Sequence, residues 1–249
     1  MPIPGNVPAP NPPAVFLTAE WRSLVMVNYA VDPRLLAAYL PRGVELDLWH
    51  REALVSMVGF RFLKTRVLGV AIPFHQNFEE VNLRFYVRRR SADGWQRGVV
   101  FIREIVPKRA IATVARVVYN EPYLALPMRH RVPERGTGGT FEFGWRFRGD
   151  WCGLGAQTIG EPAPLTPDSA EEFIFEHYWG YTRQRDGGTV EYQVEHAPWR
   201  VWQTSRAWLT GEVAALYGAE FGQALAQPPR SAFVAEGSPV LVRRGVRLG

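Results

Sequence analysis

Lysine is nearly missing from this chain. Lys64 and Lys108 are its only two, although lysine and arginine together number 29. Arginine therefore carries the formal net charge of +5, and chemistry that needs an amine nucleophile has two candidates. Cysteine is scarcer still. The single Cys152 excludes an internal disulfide and any multi-cysteine metal site, and it fits a reducing compartment. No uncharged apolar run approaches the roughly 20 residues that span a bilayer. The opening MPIPGNVPAPNPP has neither the basic start nor the apolar stretch of a signal peptide. A soluble, cytoplasmic protein with no membrane partner is expected.

Familiar chemical signatures are missing as well. There is no Gly-x-Ser-x-Gly elbow, which argues against Ser-His-Asp hydrolysis. RGTGGTFEFG lacks the strand-to-helix context of a phosphate-binding loop and reads as a plain loop. His177 and His196 have no HExxH-type spacing, so neither metal nor cofactor is expected. Arg88-Arg89-Arg90 and the tail VRRGVRL belong to no recognisable nucleic-acid module, and no nucleic-acid partner is expected.

What the chain does have is apolar bulk: 47% hydrophobic and 13% aromatic residues in a length of 249. That is enough for one sizeable core. Strand-like runs rich in Val, Phe, Tyr and Trp cover 23–31, 53–63, 81–90, 96–106, 140–147, 189–195 and 200–208. RRRSADGW reads as a hairpin with an Asp-Gly turn. Helical patches are few: 33–39 after Asp32, the stretch after Thr166-Pro167-Asp168, GEVAALYGAEFGQAL after Thr210, and a start at Pro107 with Lys108 at its second position. Scattered single helices among many strands predict a mainly antiparallel β (α+β) domain over 15–249 behind a proline-rich arm, 1–14.

Three stretches carry candidate chemistry. EEVNLRFYVRRR places Val81, Leu83, Phe85 and Val87 on one strand face and Asn82, Arg84, Tyr86 and Arg88 on the other. The polar face is either solvated or the wall of a pocket in which the planar Arg84 fork grips a carboxylate. FEHYWGY and QVEHAPW bring Glu176, His177, Tyr178, Glu195 and His196, groups suited to proton transfer or to satisfying a core. EIVPKRA sets Lys108 at a helix start beside Arg103 and Arg109, with apolar Ile105, Val106 and Ile111. A helix N-terminus, neighbouring cations and desolvation all lower an amine's pKa.

FIREIVPKRA resembles the Arg-Glu and Pro-Lys-Lys motif of acetoacetate decarboxylases, and GVAIP (69–73) resembles a stretch upstream of it. VNLRFYVR, GVVFIREIVPKRAIATVARVVYNEPY, EHYWGYTRQRDGGTVEYQVEHAPWRVW and FLTAEWRSLVMVNYAVDP are similar to the uncharacterised YqjF-like group of the acetoacetate decarboxylase-like superfamily. The resemblance implies a β-cone or barrel around a central pocket with a few peripheral helices. It implies Lys108 as a Schiff-base lysine, Arg109 in the place of the second lysine, and Glu104 as the motif's glutamate. The decarboxylases' catalytic glutamate falls near Val67, with Glu79 and Glu80 as substitutes. Related decarboxylases assemble, so the same analogy suggests a homo-oligomer. Two functions stay open. One is a Schiff-base lyase acting on a small carbonyl or carboxylate compound. The other is a non-catalytic binder of such a ligand that uses Asn82, Arg84, Tyr86, Glu176, Tyr178 and His196.

Overall fold

The computed structural model describes residues 12–92 and 94–248. Most of the proline-rich arm, Asp93 of the expected Asp-Gly turn and Gly249 lie outside the described residues. Fifteen strands form one continuous sheet whose order runs back on itself. Seven of them close a ring: Val15–Val31, Ala53–Val67, Phe78–Ser91, Gly94–Val106, Trp179–Arg183, Thr189–His196 and Pro239–Arg243, the last pairing back to the first. Closure removes the sheet edges and leaves an interior. The pairings are antiparallel except where Gly94–Val106 meets Trp179–Arg183 and Tyr123–Ala125.

A second run of strands leaves the ring at Val15–Val31. Residues 17–20 of that strand pair with Pro239–Arg243, and residues 24–28 pair with Ser231–Ala235. The hand-over falls at Ser23, whose φ is +59°. The sheet then continues through Val201–Thr210, Asp150–Ala163, Thr140–Phe147 and Met128–Arg131. Between the ring and this flap lies the main core, in which Val81, Leu83, Phe85 and Val87 join Phe141, Phe143, Trp145 and Leu154. Strand alternation then fixes the opposite face of Phe78–Ser91 toward the ring interior.

The expected strands form, most of them with at least one longer end and Thr140–Phe147 with the expected bounds, and others have no counterpart in the sequence reading. Asp150–Ala163 was hidden by its glycines, which weaken strand propensity. A Cβ on Gly155 would come 2.2 Å from the Trp208 ring, so the glycine is what lets that indole cross the strand. Helix starts also differ. Asp32 caps Pro33–Leu36 as expected, its carboxylate accepting from Arg34 N at 2.9 Å. Ser169 rather than Thr166 or Asp168 caps Ala170–Phe175: its Oγ accepts from Glu172 N, and Glu172 in turn accepts from Asp168 N. This reciprocal pattern satisfies two donors at once. Thr210 ends a strand instead of capping a helix, and the helical stretch breaks at Gly218 into Val213–Tyr217 and Ala219–Leu225. Helix Arg109–Val118 begins two residues later than expected, with Lys108 at its N-cap. No helix among the described residues is long and apolar enough to cross a membrane.

Candidate functional site

The ring encloses a cavity of about 390 Å³. All seven strands line it, among others through Leu17, Phe60, Asn82, Phe101, Trp179, Tyr192 and Val242. Helix Arg109–Val118 lies across it, contributing Ala110, Ile111, Val114 and Ala115. The cavity reaches the surface where Ile72, 45% exposed, and Val114, 51% exposed, form part of its wall. Most of the wall is aromatic or aliphatic, and its polar groups are therefore conspicuous.

Three of those groups are glutamates. Glu80 and Glu104 are each 2% exposed and Glu121 is 6% exposed. Glu80 comes from the face that carries Asn82 and Arg84. Glu104 faces inward because of a bulge in Gly94–Val106: Leu83 pairs with Arg103 but Arg84 pairs with Phe101. The extra residue reverses the alternation, so Val99 and Phe101 line the cavity and, past the bulge, Glu104 does too. Glu121 enters from the short link after helix Arg109–Val118, next to Tyr123, which pairs with Glu104 in parallel register.

Their hydrogen bonds differ. Glu80 accepts from the Tyr123 hydroxyl at 3.0 Å and from Asn82 Nδ2 at 3.0 Å. Glu121 Oε1 accepts from the Tyr192 hydroxyl at 3.0 Å and from the Thr182 hydroxyl. Glu104 Oε2 has no partner among the described residues. Burial pushes Glu80 and Glu121 up to about 7, with those donors holding each back. Glu104 lies well above the usual carboxylate range, through burial first and then repulsion from Glu121 and Glu80. Tyr123, although its hydroxyl points at Glu80, lies near enough to soften that rise. A buried carboxyl beside two others holds its proton near neutral pH.

Arg84 is the one lysine or arginine among the described residues lining the cavity. Its buried Nε has no hydrogen-bond partner, and neither do the Trp21 and Trp179 indole nitrogens or Thr65 Oγ1, all on lining residues. Asn82 Oδ1 is also unpaired. His177 lines the cavity with Nε2 3.2 Å from Asp47 Oδ2, off the line of a good hydrogen bond. Burial lowers His177 to about 4 and keeps it neutral. Asp47, which burial alone would raise, is held at about 2 by His177 and Arg97, whose Nε donates to it at 2.6 Å. His196, lowered to about 4 by burial, stacks on Trp199 with centroids 4.1 Å apart.

The residues singled out from sequence divide. Asn82, Arg84, Glu104 and His196 line the cavity. Tyr86 does not; its hydroxyl shares a 2.5 Å hydrogen bond with Ser56. Glu176 and Tyr178 pair with each other at 3.1 Å, off the lining, although the Tyr178 ring packs against His196. Lys108 and Arg109 are not lining residues: Lys108 is half-buried at the helix N-cap, and Arg109 is exposed. Glu79 turns away from the cavity to His130, 2.6 Å distant. Sequence reading passed over Glu121, Tyr123 and Tyr192. Glu80 was legible by parity with Asn82, whereas Glu121 and Tyr123 follow a helix and carry no periodic signal. The described residues include no cluster of His, Cys, Asp or Glu able to hold a metal ion.

Comparison with known proteins places the fold. The Legionella pneumophila acetoacetate decarboxylase structure matches with a TM-score of 0.67 at 15% identity, covering 98% of this chain and 92% of that one. The enduracididine biosynthesis enzyme MppR complexed with pyruvate gives 0.65 at 14% identity, covering 97% and 93%. An acetoacetate decarboxylase-like enzyme from Sphingomonas wittichii gives 0.66 at 12% identity, covering 94% of each. The uncharacterized protein YqjF of Bacillus subtilis is 27% identical over 184 residues, 72% of both chains. The model of DUF2071, described as an uncharacterized conserved protein, matches residues 18–239. With that match the chain belongs to the DUF2071 family, and it shares the fold of the acetoacetate decarboxylase structures.

Proposed function

We propose that the cavity binds a small carbonyl or carboxylate compound reversibly, without a covalent bond to Lys108. The observation that carries this reading is the set of unpaired donors on the lining: Arg84 Nε, two indole N–H groups and Thr65 Oγ1. Buried donors left without partners are costly, and a ligand oxygen satisfies them. The aromatic walls supply apolar burial for the remainder of the ligand, the usual division of labour in small-molecule pockets. MppR has been solved with pyruvate bound, which supports an oxo compound as the ligand class. The imine alternative needs the Lys108 amine on the cavity wall, and Lys108 is not a lining residue. The lone buried Cys152 accords with a cytoplasmic home, and the homo-oligomer expected by analogy belongs to the same proposal.

Calorimetric titration with acetophenone, 4-phenylbutan-2-one and aryl-substituted 2-oxo acids should give saturable binding that Lys108→Arg leaves intact and Arg84→Ala weakens at least tenfold for the acids. Borohydride added to the same mixtures should leave Lys108 unmodified in peptide maps. Lys64, paired with Glu20 at 2.6 Å in solvent, serves as the internal control. Ketone-derived mass on Lys108, abolished by Lys108→Arg, would restore the imine reading.

A further inference from the structure

The three glutamates have unequal surroundings, and that inequality has chemical content. Glu121 Oε1 is fixed by two hydroxyl donors, which stabilise the charged form, while Oε2 makes no hydrogen bond among the described residues. Glu104 Oε2 has no hydrogen-bond partner among the described residues, and Glu121 and Glu80 both repel its charge. Glu121 is thus the readier of the two to ionise and Glu104 the readier to keep its proton, in a space walled by apolar rings. Environments that separate two carboxyls in this way assign a base and an acid. The unpaired Asn82 Oδ1, on a side chain 1% exposed, lines the same space.

We propose that this cluster moves protons at the carbon next to the carbonyl of a bound ketone, with Glu121 as base and Glu104 as acid. The inference rests on the carbonyl-binding reading above and deepens it. Glu121 Oε2 takes the α-proton as the C–H bond breaks. Those electrons form the new carbon–carbon double bond. The carbonyl π pair moves onto oxygen, which takes the proton of the Glu104 carboxyl. The enol leaves Glu121 neutral and Glu104 ionised, and the reverse step restores both. No oxidant or reductant takes part. Because the cavity opens beside Ile72 and Val114, the carboxyl protons exchange with solvent, and the net outcome in heavy water is deuterium at the α-carbon. Glu80, both of whose oxygens accept hydrogen bonds, holds the cluster's geometry through Tyr123 and is a positioning residue.

Loss of the methyl proton signal of acetophenone in D₂O, followed by NMR with binding measured in parallel by calorimetry, tests this. The protein should raise the exchange rate at least tenfold over buffer containing the same carboxylate concentration. Glu121→Gln and Glu104→Gln should each lower that rate at least tenfold while acetophenone still binds. Tyr192→Phe removes one donor from Glu121, raises its proton affinity and should move the midpoint of the rate profile to higher pH, which a merely structural role would not do. That variant decides the matter if a glutamine variant fails to fold. Binding without exchange, or exchange indifferent to both glutamine variants, overturns the acid–base assignment and leaves the binding reading standing. Absence of acetophenone binding and of binding by the whole ketone panel overturns both.

Discussion

Glu104 shows how a single residue can be visible in sequence and still be misplaced in role. The motif REIVPKR drew attention to it together with Lys108. Simple alternation along 99–106 would set Glu104 on the opposite face from Val99 and Phe101, and only the bulge at Arg103 brings all three to one surface. Arg84 and Asn82 were legible because no bulge interrupts their face of Phe78–Ser91 between them and Glu80. The clustering has a measurable consequence for stability. The folded chain keeps protons on Glu80 and Glu121 up to about 7, whereas an unfolded glutamate releases its proton near 4.5. This contribution to stability is fully present below about 4.5 and is lost as pH rises through about 7, by at most on the order of 3 kcal/mol per carboxyl. His177 and His196, lowered to about 4 by burial, act in the opposite sense, removing stability as pH falls from about 6.5 toward 4. Glu104→Gln removes one repelling partner but neither histidine. Its melting temperature should fall less than that of the parent between pH 5.5 and pH 8, by several degrees in differential scanning calorimetry. Parallel declines in the two proteins would show that the carboxyls do not share their burden.

Elements were easier to find than to bound. Strands announced by aromatic and β-branched runs form where expected, because their patterning matches a two-sided burial that nothing else in the chain contradicts. The glycine-containing Asp150–Ala163 escaped notice because its stabilisation comes from the rings of neighbouring strands rather than from its own side chains. Another such glycine bears directly on the cavity. Gly180 in Trp179–Arg183 pairs with Tyr192, and a Cβ there would lie 2.1 Å from Tyr192 Cζ. Gly180→Ala must push that ring away and with it a donor to Glu121. Overpacking of this kind costs about 1–3 kcal/mol. We expect a lower melting temperature together with weaker ketone binding and slower α-exchange, whereas Ala at the exposed Gly69, strained by its φ of +80° but with nothing within 4 Å of the added Cβ, should cost stability while disturbing binding far less. Unchanged binding in Gly180→Ala would remove Tyr192 from the account. Helix Arg109–Val118 teaches the complementary lesson: Pro107 signalled a start nearby, yet whether Lys108 would reach the cavity depended on the helix's placement over the ring, which no local pattern encodes.

At the scale of the whole molecule, closure of seven strands is the feature from which the rest follows. A mainly antiparallel fold could be read from composition and spacing, and the cone from resemblance, but the closing pair between Val15–Val31 and Pro239–Arg243 joins residues more than 200 positions apart. Such pairings depend on register over the complete chain. The ring makes an interior, the interior takes in three buried carboxyls and a half-buried arginine, and helix Arg109–Val118 narrows the way in. Blocking that way tests the account at its centre. Ala115 lines the cavity from the helix and is only half-buried, so Ala115→Trp can fill the space without repacking the ring. Calorimetric titration of this variant with 4-phenylbutan-2-one, alongside the parent, should show binding to the parent and at least a tenfold loss in the variant, with the melting temperature of the free protein little changed. Equal affinity in the two proteins would place the ligand outside the ring and contradict the assignment.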